Sequence, residues 1–272
     1  MSIWEAVILG VVQGLTEFLP VSSSGHLTLG KAILGITEKG ILFEVVVHLG
    51  TLLAVFTAFS KDIVWLLKGM VAFITPKKRD PFAPQKDDGA IRYITYIIWA
   101  TIPAVIVGLF FKDTIEGAFA NPVIACFLLL VTGIILLLSR IGLKADGQVT
   151  LSRSVIIGVA QALAIFPGIS RSGSTIATGM LLGVQREEAA RFSFLMAIPA
   201  IAGAFVLQLK DIMEQPPESA FVLALVVGFI ASYISGYAAI KVLMSLVRRG
   251  RFDYFAWYCF AVGIVGLIYF YG

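Results

Sequence analysis

The sequence predicts an all-α integral membrane protein: six transmembrane helices plus two re-entrant helical hairpins, arranged as an inverted-topology repeat. Three observations predict it. The first is apolar mass: 58% of the 272 residues are hydrophobic, 14% are charged, and the mean hydropathy is +0.93. Soluble domains carry roughly 25% charged residues, so an ordinary cytosolic enzyme, a disordered chain and a nucleic-acid binder are all excluded. The second is a pair of apolar segments, each broken midway by a polar string. The third is that these two segments are copies of one another.

The first broken segment covers about 3–35 and is interrupted by LPVSSSGH. Its arms hold about 12–16 residues and reach roughly 18–24 Å as helix, short of a bilayer's hydrocarbon core. A hairpin that enters and leaves on one side is the economical reading. Irregular backbone at membrane depth is tolerated where protein buries it or a wet cavity receives it. The N-terminus lacks a basic n-region, and Gln13 and Glu17 interrupt its apolar run, so no cleavable signal peptide is expected. Spans follow at 41–59, 91–111 and 119–139, with a polar linker at 75–89. The second broken segment covers about 152–184, is interrupted by FPGISRSGST, and precedes spans at 187–209, 219–241 and 254–271. Pro103 and Pro199 lie inside spans, where kinks are tolerated. Aromatics such as Trp65, Tyr93, Tyr254 and Trp257 fall near span ends, as interfacial belts do.

Residues 7–27 align without gaps on 155–175, an offset of 148, with ten of 21 positions identical. Gln13/Gln161, Ser22/Ser170, Ser24/Ser172 and Gly25/Gly173 are matches that apolar composition does not explain, and Gly35/Gly183 continue the register. Three spans follow each hairpin. The odd number sends the second copy in from the opposite face, as inverted-topology transporters do. Repeat one spans about 1–140 and repeat two about 150–272, within a single membrane domain. This topology places sixteen Lys and Arg on one side and four on the other, with Arg171 at a tip. Positive charge marks the cytoplasmic side, so both termini are expected outside, and the formal charge of +4 is largely an orientation signal. Cys126 and Cys259 sit in apolar runs without metal-ligand spacing and read as packing residues.

Ionisable groups at membrane depth are costly and point to function. Glu17 lies one helical turn after Gln13, on the same face. Arg171 lies in the second tip. Their repeat counterparts are Ile165 and Ser23, so the halves diverge where polarity is costly. If the tips meet, Glu17 and Arg171 share a cavity, or else form a structural pair pinning the hairpins together. Ser22-Ser23-Ser24-Gly25 and Ser170-Arg171-Ser172-Gly173-Ser174-Thr175 each precede an outgoing helix. Helix starts carry free N–H groups and a positive dipole end, which suit phosphate. Two converging beside an arginine fork would clamp a pyrophosphate. Some of these hydroxyls are expected only to satisfy turn backbone. Glu17 with Gln13 suits a divalent cation bridging the phosphates, since magnesium sites often use one or two carboxylates plus substrate oxygens. His26 has the chemistry of a general acid, base or nucleophile. His48, mid-span, reads as an interhelical hydrogen-bonding residue, and Glu44, one turn before it, reads as its partner or as an interfacial residue.

At these residues the chain resembles the undecaprenyl-pyrophosphate phosphatase family, also called bacitracin-resistance proteins. Gln13-Gly-Leu-Thr-Glu17 running into FLPVSSSGH resembles its first motif, and Pro167-Gly-Ile-Ser-Arg-Ser-Gly-Ser-Thr175 its second. FEVVVHLG after the first hairpin extends the resemblance, which covers essentially the whole chain. Gln13 stands where some members have Glu. The resemblance implies hydrolysis of undecaprenyl pyrophosphate to undecaprenyl phosphate and inorganic phosphate, with Mg2+ or Ca2+, in the bacterial inner membrane. This recycles the lipid carrier of cell-wall synthesis and confers bacitracin resistance. It implicates Glu17, Ser23, His26 and Arg171 in catalysis. Gln13, Ser22, Ser24, Gly25, Ser170, Ser172, Gly173 and Thr175 are expected to bind substrate. A transporter or flippase of a phosphorylated polyprenyl lipid is the alternative, because inverted repeats with broken helices also serve transport. The type 2 phosphatidic acid phosphatases are rejected, since Ala177 stands where their second motif needs histidine.

Overall fold

The architecture comes from a computed structural model that describes residues 1–35, 41–75, 88–214 and 219–271. Twelve α-helices carry the described chain: α1 Ile3–Phe18, α2 Ser23–Leu34, α3 Ile41–Ala58, α4 Ser60–Ile74, α5 Asp88–Phe110, α6 Lys112–Phe119, α7 Pro122–Leu138, α8 Leu151–Leu163, α9 Arg171–Leu181, α10 Arg186–Glu214, α11 Ser219–Arg248 and α12 Phe255–Tyr271. Among the described residues there is no strand, only one parallel bridge between Gly147 and Val184. Most of the linker expected at 75–89 lies outside them, as does Lys39.

Five helices are long and apolar enough to cross a membrane. They coincide with five of the six expected spans. The sixth expected span is α3, which continues through a break into α4 at an angle of 81°. This is a multi-pass membrane protein, and its lipid-facing surface is apolar: Ile98, Ile102, Val105, Ile134 and Ile264 are all exposed.

Residues 60–74 depart from the expectation. The sequence assigned them to no span, leaving them between the expected span at 41–59 and the polar linker at 75–89, and they form α4. Lys61, Asp62 and Lys68 interrupt the apolar run and hide it from a span search. Val64, Leu67, Val71 and Ile74 nevertheless recur at helical spacing and are exposed together.

Local chemistry sets the helix ends. Ser2 accepts from the Glu5 N–H at 3.2 Å and its own N–H donates to the Glu5 carboxylate at 2.8 Å, a capping box that starts α1. Asn121 caps Val123 and Ile124, and Pro122 occupies the first turn, so α7 starts three residues after the expected 119. The two tips use one device. Ser22 Oγ accepts from Gly25 N at 3.2 Å to start α2, and Ser170 Oγ accepts from Gly173 N at 3.0 Å to start α9. The far ends match too: Gly35 and Gly183 both have positive φ, at 63° and 84°.

Small residues let the broken helices approach their neighbours closely. A methyl group at Gly10 of α1 would lie 2.6 Å from the Gly228 carbonyl oxygen of α11, and one at Gly158 of α8 would lie 2.7 Å from Ala100 Cα of α5. At the end of α1, Phe18 is buried with Phe192 and Phe194 of α10 in the largest apolar core. Phe18 and Phe194 meet edge to face at 5.7 Å. The aromatic floor fixes the end of α1, and Glu17 with it.

Candidate active site

The two tips touch. Ser22 Oγ accepts a second hydrogen bond from Gly168 N at 3.1 Å, and a Cβ on Gly25 would come within 3.0 Å of Gly168 Cα. Ser22 is the single non-glycine residue at positive φ among the described residues, at 68°. Such a conformation costs about 1–3 kcal/mol and persists where its surroundings impose it. Here two buried backbone donors hold the hydroxyl in place. Gly168 has a φ of 100°, which favours glycine.

Thr132 of α7 braces the second tip. Its hydroxyl donates to the Gly168 carbonyl at 2.8 Å and accepts from Ser170 N at 3.0 Å, fully buried. Thr132→Val would leave both backbone groups unpaired, at about 1–3 kcal/mol each. Thermal unfolding in detergent should show that loss, and Thr132→Ser should retain most of the stability.

Where the tips meet, Glu17 gathers a cluster. The carboxylate is buried, and Arg171 Nη2 donates to its Oε1. On the other oxygen, Oε2, Gln13 Nε2 donates at 2.9 Å and Ser23 Oγ at 2.6 Å, while His48 Nε2 lies 3.7 Å away. One acid from the first hairpin and one base from the second are thus an ion pair 154 residues apart. The cluster also holds unspent capacity. Arg171 Nη1 and Gln13 Oε1 are buried with no hydrogen-bond partner. Their chemistry is complementary to a bound anion and a bound cation respectively.

The remaining expected residues divide into scaffold and periphery. Ser22, Ser170, Gly25 and Gly173 form the two helix caps. Ser24 Oγ lies 3.2 Å from Ser22 Oγ, and Ser172 Oγ lies 3.3 Å from Ser170 Oγ and 3.4 Å from the Leu19 carbonyl. Thr175 donates to the Arg171 carbonyl at 2.7 Å and lies 2.6 Å from Ser193 Oγ of α10. His26 stands outside the cluster. Its Nδ1 is 2.8 Å from the Ser22 carbonyl, which can only accept, so Nδ1 carries the proton. Its Nε2 is 2.8 Å from the Tyr258 hydroxyl, and the two rings stack at 5.6 Å. Both ring nitrogens are occupied, and neither by the Glu17 cluster.

Comparison with known proteins fits this site. A family model described as bacitracin resistance protein BacA matches residues 6–265. The chain belongs to the BacA family. The undecaprenyl-diphosphatase of Methanosphaera stadtmanae is 44% identical over 281 residues, covering 98% of each chain. That of Methanobrevibacter smithii is 45% identical, covering 97% of this chain and 96% of its own, and that of Salinibacter ruber is 42% identical, covering 98% and 99%.

In this BacA-family chain the residues around the tips that the sequence did not assign to the candidate site are His48, read there as an interhelical hydrogen-bonding residue, and Thr132, Ser193 and Tyr258. Glu44, read as the partner of His48 or as an interfacial residue, pairs its carboxylate with Lys31 and offers His48 only its backbone carbonyl, at 2.7 Å. The available signal was helical spacing: Glu44, His48 and Thr51 line one face of α3. Which neighbour that face meets is a tertiary fact. Thr132 and Tyr258 lie in long apolar runs, and no local pattern distinguishes them.

Proposed function

We propose that this chain hydrolyses undecaprenyl pyrophosphate to undecaprenyl phosphate and inorganic phosphate. The observation that carries the reading is the Glu17–Arg171–Ser23 cluster at the meeting of two helix-start tips, in a chain whose relatives are named undecaprenyl-diphosphatase. Hydrolysis returns the lipid carrier to cell-wall synthesis, and the family description adds bacitracin resistance.

Phosphoryl transfer needs positioning and charge neutralisation. Arg171 meets the phosphates through its fork, releasing part of its contact with Glu17, and the N–H groups that open α2 and α9 add fixed positive ends. Ser23 is the nucleophile in this reading, because its hydroxyl already donates to Glu17 Oε2. Its oxygen attacks the terminal phosphorus, its proton passes to Glu17, and the bridging P–O bond breaks to release undecaprenyl phosphate. Water then displaces Ser23 from phosphorus, the serine regains a proton from Glu17, and inorganic phosphate leaves. His26 positions the first tip instead of reacting, since Ser22 and Tyr258 occupy its nitrogens. Gln13 and Glu17 fit a Mg2+ or Ca2+ ion, because a partnerless buried amide oxygen beside a carboxylate is a hard-cation donor set. When bound, the cation neutralises phosphate charge.

The membrane arrangement follows the same reasoning. Helices α1, α2, α8 and α9 have 16, 12, 13 and 11 residues, so each reaches about 17–24 Å. Two re-entrant hairpins meeting tip to tip account for this. The inverted repeat is supported by exchanged partners: Gly10 seats α1 on α11 of the second half, and its counterpart Gly158 seats α8 on α5 of the first. The distribution of basic residues supports both termini outside, and the family description supports a bacterial inner membrane as the setting. An apolar groove of about 660 Å³ between α3, α4, α5 and α10, floored by Leu195, Ile198 and Pro199, would seat part of the polyprenyl tail.

Purified protein in detergent should release phosphate from undecaprenyl pyrophosphate with Mg2+ or Ca2+. Its kcat/KM on farnesyl pyrophosphate should be at least tenfold lower, because the shorter tail cannot fill the groove. No release with any divalent cation would sink the hydrolase reading and leave lipid transport ahead.

A further inference from the structure

Glu17 divides its environment in two. Oε1 is spent on Arg171, whereas Oε2 faces Gln13, Ser23 and His48. The His48 ring is oriented by its other nitrogen. Nδ1 lies 2.7 Å from the Glu44 backbone carbonyl, which can only accept, so Nδ1 carries the proton. In the neutral ring Nε2 therefore presents a lone pair toward Glu17 Oε2, 3.7 Å away. Two electron-rich atoms face each other at that distance favourably only when a positive centre joins them, either a proton on the ring or a metal ion. A second observation points the same way. Gln13 is fully buried, and its Oε1 has no donor although its Nε2 is bound to the same carboxylate.

We infer that His48 Nε2 is a further ligand of the divalent cation, completing a protein donor set of one carboxylate oxygen, one amide oxygen and one imidazole nitrogen. This rests on the reading that Gln13 and Glu17 hold the cation. Metal-binding histidines ordinarily fix their second ring nitrogen on a carbonyl or carboxylate, as Nδ1 does here. Among the described residues no three His, Cys, Asp or Glu side chains converge as a metal site, so phosphate oxygens of the substrate and water complete the shell. The nitrogen donor has a consequence for selectivity. All-oxygen sites suit Mg2+ and Ca2+, whereas imidazole raises affinity for transition metals. The site of this chain therefore favours Mn2+ over Ca2+ more strongly than an all-oxygen site would.

The test is Mn2+ binding by the purified full-length chain in detergent, with methylenebisphosphonate supplying the phosphate oxygens. Electron paramagnetic resonance reads the bound fraction, and electron spin echo modulation reads nitrogen bonded to the metal. Wild-type protein should show 14N modulation, converted to the 15N pattern when the histidines are labelled. The chain has two histidines, so His26→Gln should keep the signal and His48→Gln should lose it. In His48→Gln the Mn2+ affinity should fall about tenfold, while Ca2+ affinity changes less than threefold. Bound Mn2+ without histidine nitrogen in the wild type would overturn the ligation by His48 and leave the Gln13 and Glu17 reading standing. No bound Mn2+ would overturn both. Phosphate release, measured separately, tests the hydrolase reading independently of either result.

Discussion

Arg171→Ala should lower kcat/KM for phosphate release by about 10³-fold or more, the range found when a charged transition-state donor is removed. Arg171 is the cation closest to the cluster, and its fork has one buried nitrogen without a partner, available to a phosphate oxygen. The same change strands the buried Glu17 charge, and breaking one side of a buried pair costs about 3–5 kcal/mol. Catalytic loss could then be mistaken for unfolding, and the double variant Glu17→Gln/Arg171→Ala separates the two. With no carboxylate left unpaired, its thermal stability in detergent should recover toward wild type while activity stays absent. Arg171→Lys should keep the charge, lose the bidentate geometry and fall between the extremes. Wild-type turnover in a folded Arg171→Ala protein would mean that the pair only pins the hairpins together.

The broad architecture was legible because membrane spans are set by length and apolar content, which are local properties. The two polar tips were legible for the converse reason: strings such as SSSGH and SRSGST are conspicuous inside apolar sequence. Glu17 and Arg171 stood out in the same way, and the structure joins them. Residues whose importance depends on a partner far along the chain were not legible. His48 reaches Glu17 across a helix interface, and Thr132 holds a tip 36 residues away. His26 was singled out by its place after the serine string, and in the structure a tyrosine 232 residues distant and the Ser22 carbonyl engage its ring, partners that the string does not reveal. Helix α4 was missed because its three charged residues broke the hydropathy signal while leaving helical periodicity intact.

The sequence repeat explains why the two tips share a scaffold yet present different side chains to Glu17. Ser22 and Ser170 keep the same capping role in both halves, so the fold is duplicated at those positions. The next residue differs: Ser23 in the first tip, Arg171 in the second. Each is the first residue of its helix and points into the shared cluster, where both contact Glu17. Equivalent positions thus supply a hydroxyl and a guanidinium to one carboxylate. A symmetric site would have given two of one kind.

That division makes Ser23→Ala a clean test of the nucleophile. Ser22, not Ser23, caps α2, and among the described residues the Ser23 side chain hydrogen-bonds to Glu17 alone. Its substitution should therefore cost little stability, because Gln13, Arg171 and the cap remain. Activity should fall by about 10³-fold or more if the Ser23 oxygen forms the bond to phosphorus, since the loss of an attacking atom cannot be offset by positioning. Acid quenching of wild-type enzyme with substrate labelled in its terminal phosphate should leave label on Ser23, most readily in the slow Arg171→Lys variant. Ser23→Ala should take up none. A loss below tenfold, with no label on the wild-type chain, would instead assign the attack to water held by Glu17. In that case the 2.6 Å contact would be only the resting place of the Ser23 hydroxyl, vacated when the phosphates arrive.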